Sequence, residues 1–307
     1  MLDADVDLVI ITTPPDSHAD LTRRALERGK HVVVEKPLTF DTATARDLAG
    51  LARDRGKLLV VAPFVQMSPA MRLLWTLVAG GVAGQVHSAR AMYGNAGSTW
   101  ARWYHTSGIG PLGDLAIYNI KTLTALLGPV ADVRALQHTS GIVREFGRAP
   151  LSDADPDVSH LIVRHRSGAL STIMASHAVW AYRRTAVELY GSQGTVNLLG
   201  DDWDPAGIEV FRPDWGHWRS YESPDRTWNW TDGLREAVMA LTTGTSPAVN
   251  LDHDIHVIDV LSAAIRSAAD DGRPVRVGSE FSPLDLTYDF DAAAAVIHDH
   301  TRPRGDQ

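Results

Sequence analysis

Lys36, Asp114 and Tyr118 are the residues of this chain whose types and settings could move a proton. Lys36 follows the apolar run Lys30-His31-Val32-Val33-Val34-Glu35 and precedes Pro37, whose ring fixes its own backbone and holds its neighbour extended. An ammonium placed there points off the end of a strand, where it can hydrogen-bond a hydroxyl or carbonyl and ease proton movement. The plain alternative is a strand-end lysine in water. Asp114 and Tyr118 stand four residues apart, so on a helix they share one face and address one ligand. A phenol with an ordinary pKa near 10 is a poor base at neutral pH. Tyr118 therefore needs a neighbouring cation such as Lys36 to favour its phenolate, or it works as a proton donor. A capping Asp next to a half-buried Tyr would leave the same pattern.

Other clusters carry weaker signals. Trp100-Ala101-Arg102-Trp103-Tyr104-His105 lies in a Gly/Ser-rich stretch; aromatic faces there could stack on sugar C–H surfaces while Arg102 and His105 bond hydroxyls. Packing of a loop against a sheet explains the same residues equally well. Asn119 and Lys121 either touch substrate or lie on a helix surface. His253 and His256, with Asp252, Asp254 and Asp259, have i, i+3 spacing that invites a metal, but Ile255, Val257, Ile258, Val260, Leu261, Ala264 and Ile265 make Asn250 to Gly272 an amphipathic packing helix. No metal is expected.

The elements that must hold these side chains are legible at the start of the chain. Val6 to Thr13, Lys30 to Glu35 and Leu58 to Ala62 are near-continuous apolar runs, which read as parallel strands buried on both faces. Between them Ser17 to Arg28 and Asp41 to Arg55 have helical spacing, with Ser17 and Asp41 as N-caps and Gly29 and Gly56 at the C′ positions. The order β-α-β-α-β predicts a doubly wound parallel sheet that binds ligands beyond the carboxyl ends of its strands. Those ends are Thr12-Thr13-Pro14 and Glu35-Lys36-Pro37. Yet the first strand has no partner strand ahead of it, and no G-x-G-x-x-G is expected anywhere in the chain: the nearest glycine clusters, Gly80-Gly81-Val82-Ala83-Gly84 and Gly108-Ile109-Gly110, do not follow a buried strand and open a helix, as a dinucleotide fingerprint requires. From about residue 67 the pattern changes to strands and turns: Val86 to Tyr93, Val130 to Thr139, Val158 to His165, Ala169 to His177, Thr185 to Leu199 and Ile208 to Phe211. A second domain with a large, mostly antiparallel sheet follows, and its uncovered face is an expected homo-oligomer contact.

Lys plus Arg number 29 against 37 Asp plus Glu, a formal net charge of −8, with no basic cluster to override it locally. Nucleic acid is therefore not an expected partner. The absence of cysteine removes disulfides, thiolate nucleophiles and Cys-ligated zinc. Three acids in the first seven residues do not suit a signal peptide, and no window approaches a membrane span, so a cytoplasmic protein without membrane partners is expected.

Four stretches together resemble the glucose-fructose oxidoreductase, inositol dehydrogenase and rhizopine-catabolism (Gfo/Idh/MocA) family. Val6 to His18 looks like its fourth strand and cofactor loop, and Gly29 to Pro37 like its fifth strand with the Glu-Lys-Pro motif. Pro111 to Tyr118 is similar to its catalytic helix, and Glu188 to Thr195 to a sheet hairpin. The resemblance implies a Rossmann-like domain over 1–66 and a substrate-binding, oligomerising α+β domain over 67–307. It implies NAD or NADP held at its nicotinamide half by Thr12, Thr13, Pro14, His18, Glu35, Lys36 and Pro37, with Lys36, Asp114 and Tyr118 as catalytic residues. Trp100, Arg102, Trp103, His105 and Asn119 are then the candidate substrate contacts. Many members have His where Tyr118 stands, although the glucose-fructose oxidoreductase and dihydrodiol dehydrogenase branches are similar in carrying Tyr; Lys121 replaces an acid of inositol dehydrogenase-like members. The family's first half-domain has no counterpart here, a difference of roughly 60 to 70 residues at about 30 per βαβ unit. The expected function is NAD(P)-dependent hydride transfer to or from a secondary alcohol or carbonyl of a sugar, polyol or cyclic diol; the alternative is a non-catalytic binding or scaffold relative. These 307 residues alone are expected to bind NAD(P) weakly.

Overall fold

The computed structural model describes residues 4–99, 101–106, 108, 110–142, 145–146, 149–150, 155–183, 186–201, 203–225, 227–229, 231–245 and 250–286. The first three strands, β1 (Leu8–Ile11), β2 (His31–Val34) and β3 (Leu59–Val61), form a parallel sheet in that order, joined by α1 (His18–Glu27) and α2 (Thr42–Asp54). Asp41 caps α2 by accepting from the Thr44 amide at 2.7 Å. Gly29 and Gly56 end the two helices with φ of 69° and 60°, a left-handed turn that a side chain would strain.

Val9, Ile11, Val32, Val34, Leu59 and Val61 cover one sheet face and pack against Leu26 of α1 and Leu48 of α2. On the other face Val33, Val60 and Ala62 meet Phe64 and, from far along the chain, Ala237 of α6 (Asp232–Thr243). That cover reaches β1 at Leu8, which is partly buried against it, and stops short of Ile10. Ile10 on the same face is 48 % exposed. The expectation of a first strand buried on both faces therefore fails for β1, which is an edge strand with a neighbour on one side only among the described residues. β2 and β3 are enclosed as expected.

The larger sheet comprises β4 (Val86–Gly94), β5 (Val130–His138), β8 (Val158–His165), β9 (Leu170–Ser176), β10 (Val187–Gly191), β11 (Thr195–Gly200), β12 (Pro205–Phe211), β13 (Trp218–Glu222) and β14 (Val275–Arg276). Its order is β13-β12-β11-β10-β4-β9-β8-β5-β14, antiparallel throughout except for the parallel pair β4 and β9. Glu145–Phe146 (β6) and Ala149–Pro150 (β7) make a separate short ladder. One face of the large sheet is covered by α3 (Pro69–Ala79), α5 (Ala116–Leu127) and α7 (Leu251–Ala269). Helix α7 serves both sheets: Val257, Val260 and Leu261 join the large core, while Ile255 and Ile258 join the small one. The fold is thus a Rossmann-like parallel sheet joined to a mostly antiparallel α+β unit, with α6 and α7 of the second closing the core of the first. No helix among the described residues is long and apolar enough to cross a membrane.

Candidate active site

The carboxyl ends of the three parallel strands open into a cleft of about 690 Å³, facing the second unit. Thr12, Thr13 and Pro14 line it from β1, Glu35, Lys36 and Pro37 from β2, and Ala62, Pro63 and Phe64 from β3. Asp114 and Tyr118 line the opposite wall, so all three candidate proton-handling residues and all seven candidate cofactor residues share one cleft.

Asp114 and Tyr118 do not lie on one continuous helix. A short helix, α4 (Gly110–Asp114), ends at Asp114, and α5 restarts after Leu115. The Tyr118 amide donates to Leu115 O at 3.1 Å rather than reaching back a full turn to Asp114. The break leaves the Asp114 carbonyl available, and the Lys36 ammonium uses it, donating to Asp114 O at 2.7 Å and to the side-chain oxygen Oδ1 as well. One residue thus binds the cation with both its main chain and its side chain. Lys36 Nζ also sits 5.3 Å from the centre of the Tyr118 ring.

His177, at the end of β9, completes this set and was not singled out in the sequence. Its Nε2 lies 3.1 Å from Asp114 Oδ2, the oxygen that Lys36 does not bond. The imidazole is buried and packs edge-on against the rings of His105 and Tyr104. Burial by itself would raise the Asp114 carboxyl, but the Lys36 cation and the His177 hydrogen bond outweigh it and bring the group down to about 2. Burial likewise opposes the charge on Lys36, and the neighbouring Asp114 and Tyr118 more than compensate, holding it above the ordinary lysine range. At neutral pH the dyad is a carboxylate and an ammonium. Lys36 is accordingly a donor in this state, not a base.

The candidate cofactor residues fit the nicotinamide end of a dinucleotide in being strand-end hydroxyls, backbone and small polar groups around one crevice. Both ring nitrogens of buried His18 lie against carbonyl oxygens, Nδ1 at 2.8 Å from Pro37 O and Nε2 at 2.7 Å from Thr13 O. It ties the ends of β1 and β2 together and so shapes the crevice. The Glu35 carboxylate accepts from the Lys36 amide at 3.1 Å. Gly108, Gly110 and Gly113 do have G-x-G-x-x-G spacing, but they follow the turn Arg102–His105 and open the five-residue α4 in the second unit. They are not a phosphate loop on a parallel strand.

The candidate substrate contacts scatter. Trp103 lines the cleft. Arg102 is exposed and is not part of the lining, and His105 is buried behind His177, donating from Nε2 to Ser98 O at 3.0 Å. Asn119 is fully buried away from the cleft; Trp100 lies outside the described residues. Tyr104, from the aromatic stretch that the sequence singles out, lines the cleft beside Trp103, whereas Tyr93, Asn95 and Trp203 line it without having been predicted, because they come from strand and loop positions far apart in the chain. Lys121 is neither a substrate contact nor a surface residue. Helix α5 is enclosed between the large sheet and α7, so Lys121 is 1 % exposed and pairs with Asp254 at 2.6 Å and with Val61 O at 3.1 Å. His253 and His256 face different partners: His253 bonds Thr124 Oγ1 at 2.7 Å, and His256 accepts from the Val130 amide at 2.9 Å while bonding Ser279 Oγ at 2.9 Å. Among the described residues no group of three or more His, Asp or Glu is arranged to hold a metal ion.

Comparison with known proteins agrees with this architecture. Residues 1–62 match the family model described as oxidoreductase family, NAD-binding Rossmann fold, and residues 71–197 match the GFO/IDH/MocA C-terminal domain. The chain is 27 % identical over 218 residues to levoglucosan dehydrogenase of Pseudarthrobacter phenanthrenivorans, covering 63 % of this chain and 55 % of that protein. It is 32 % identical over 219 residues to the dTDP-3,4-didehydro-2,6-dideoxy-alpha-D-glucose 3-reductase of Streptomyces violaceoruber, covering 68 % of this chain and 60 % of that one. In both cases the match spans less than two thirds of the relative's length. A solved structure of levoglucosan dehydrogenase in complex with NADH and levoglucosan superposes with a TM-score of 0.79 at 21 % identity, over 91 % of this chain and 82 % of that one, a likeness of fold.

Proposed function

Because this chain belongs to the Gfo/Idh/MocA oxidoreductase family, we propose that it serves NAD(P)-dependent oxidation or reduction at a secondary alcohol or carbonyl of a sugar, polyol or cyclic diol. The observation that carries this reading is the Lys36 ammonium fixed by the carbonyl and carboxylate of Asp114 at the carboxyl ends of parallel strands. Thr12, Thr13, Pro14, His18, Glu35 and Pro37 would hold the nicotinamide half of the cofactor, which when bound supplies the hydride acceptor or donor. Lys36 donates a hydrogen bond to the substrate oxygen and stabilises negative charge developing on it. Asp114 fixes that ammonium in place and keeps it charged. Tyr118, whose ring adjoins Lys36, presents a phenol for the proton that leaves or joins the oxygen.

The test is absorbance at 340 nm with millimolar NAD or NADP and a panel of polyols, cyclic diols and ketoses. High cofactor concentration is needed because these 307 residues carry no G-x-G-x-x-G on a parallel strand to cradle the pyrophosphate. Cofactor reduction or oxidation with at least one such compound is expected; none with any of them overturns the reading. We further propose that the outer face of the large sheet, where Leu136, Ile162 and Leu170 are exposed, pairs with a second copy. Light scattering should then return the mass of a dimer or a higher even oligomer, and a strict monomer would contradict it.

A further inference from the structure

Lys121 is a buried cation that takes no part in the proposed chemistry, yet its surroundings repeat the pattern at Lys36. The Lys36 ammonium leaves the end of β2 and bonds a carbonyl and a carboxylate of the second unit. The Lys121 ammonium runs the other way, from α5 to the Val61 carbonyl of β3 at 3.1 Å and to the Asp254 carboxylate of α7 at 2.6 Å. Among the described residues β3 pairs with β2 alone. The Ala62 amide turns toward β2 and donates to Val34 O at 3.0 Å, so the Val61 carbonyl one residue earlier points off the other edge. A carbonyl buried there needs a donor, and Lys121 supplies it.

The residues that follow, Ala62, Pro63, Phe64 and Val65, line the cleft. Next comes Gln66, whose Nε2 lies 3.4 Å from His253 Nδ1, while His253 Nε2 lies 2.7 Å from Thr124 Oγ1. The turn after β3 is thus tied at both ends to α5 and α7. Tyr118 stands on α5 three residues before Lys121, about one helical turn away, and lines the same cleft. As a source of stability the ion pair is poor: its side chains are 1 % and 3 % exposed, and Asp254 Oδ2 has no hydrogen-bond partner among the described residues. The cost of drying two charges offsets their attraction. What the pair does supply is an ammonium fixed at one place. Resting on the oxidoreductase reading, we propose that Lys121 is a positioning residue, which holds the cleft wall of residues 62–65 against the helix that presents Tyr118. It sets the distance between the crevice for the nicotinamide and the phenol that handles the proton. A misplacement of about 1 Å between such groups can cost on the order of a hundredfold in rate.

The experiment works in an Asp254→Asn background, where removing Lys121 leaves no carboxylate unpaired. Asn keeps the shape of Asp and an oxygen that accepts from the ammonium, so Asp254→Asn should retain kcat within about threefold of the unaltered chain. Adding Lys121→Met removes the donor to Val61 O and leaves the cleft lining as it is. With the polyol or diol that turns over fastest, kcat should fall a further tenfold or more, roughly, and KM should stay within about threefold, since no substrate contact is lost. Amide exchange at Ala62 and residues 65–67 should quicken by about tenfold or more between the same two variants, with β8 and β9 unchanged. Equal kcat in the two variants, or a loss confined to KM, overturns the inference and leaves the oxidoreductase reading standing; so does unchanged exchange of the turn. A double variant that does not fold overturns it as well, because Lys121 would then hold the fold rather than the cleft. If none of the three proteins turns over any compound, the oxidoreductase reading falls, and the exchange comparison alone decides whether Lys121 holds the wall.

Discussion

At the residue scale the account turns on how one lysine is held. Lys36 pairs with Asp114, and Asp114 in turn is bonded by His177, so the ammonium sits at the head of a short chain of polar groups leading into the protein. His177 does not line the cleft and acts only through Asp114, which makes it a positioning residue. Replacing it with Phe removes a hydrogen bond to a charged group, a loss of about 1.5–3 kcal/mol, and lets the carboxylate turn away from Lys36. His177→Phe should therefore lower kcat at least tenfold and move the acid limb of the pH–rate profile upward, whereas His177→Asn, whose amide can still donate, should recover most of the activity. Equal effects of the two variants, with no change in the profile, would reduce His177 to packing. The residues Lys36, Asp114 and Tyr118 were legible in the sequence because a strand end with proline and an i, i+4 pair are local patterns. His177 was not, since a lone histidine closing a strand gives no signal until the sheet brings it across from Asp114.

At the element scale, α7 ties the two units together and imposes a pH dependence on the fold. His256 accepts from the Val130 amide through Nε2, so it must carry its proton on Nδ1, facing Ser279, and protonating Nε2 would break the Val130 bond. Burial keeps its pKa down at about 4, and burial with the nearby Lys121 drives His253 well below the ordinary value. Both histidines are neutral when folded and take up protons more readily when unfolded. The unfolded chain therefore binds more protons between about pH 6.5 and 4, and stability is complete above that window and falls as pH drops through it. Thermal midpoints should decline from pH 7 to pH 5, and His256→Gln should flatten the decline while lowering the plateau. A midpoint unchanged across that range would contradict it. The helix itself was readable from its apolar spacing, whereas the partners of its histidines, Thr124, Val130 and Ser279, were not, because they lie on other elements. The break between α4 and α5 was not readable, because its cause is a tertiary one: Lys36 competes for the Asp114 carbonyl that a continuous helix would use.

At the scale of the whole molecule, β1 is the least supported part of the fold. It pairs with β2 on one side, its other edge has no partner among the described residues, and Ile10 is half exposed. An apolar, uncharged edge of that kind is a template for association. Hydrogen exchange should find the Val9 to Ile11 amides that face away from β2 exchanging far faster than those of β2 and β3; protection of both flanks in a monodisperse monomer would mean that another segment covers the edge. The order of elements and the change from a parallel to a mostly antiparallel pattern could be read from the sequence, since periodicity and turn residues are local. The closure of the first core by Ala237, Ile255 and Ile258 could not, because it joins residues about two hundred positions apart. What the molecule is built to do is settled most directly by steady-state turnover of Lys36→Met beside the unaltered chain, both at saturating cofactor and with the same polyol. The variant keeps the side-chain volume and removes the only ammonium in the described cleft lining, so kcat should fall by more than about tenfold, over roughly 1.4 kcal/mol of barrier, with circular dichroism unchanged. A folded Lys36→Met protein retaining more than about a tenth of the original kcat would contradict the account.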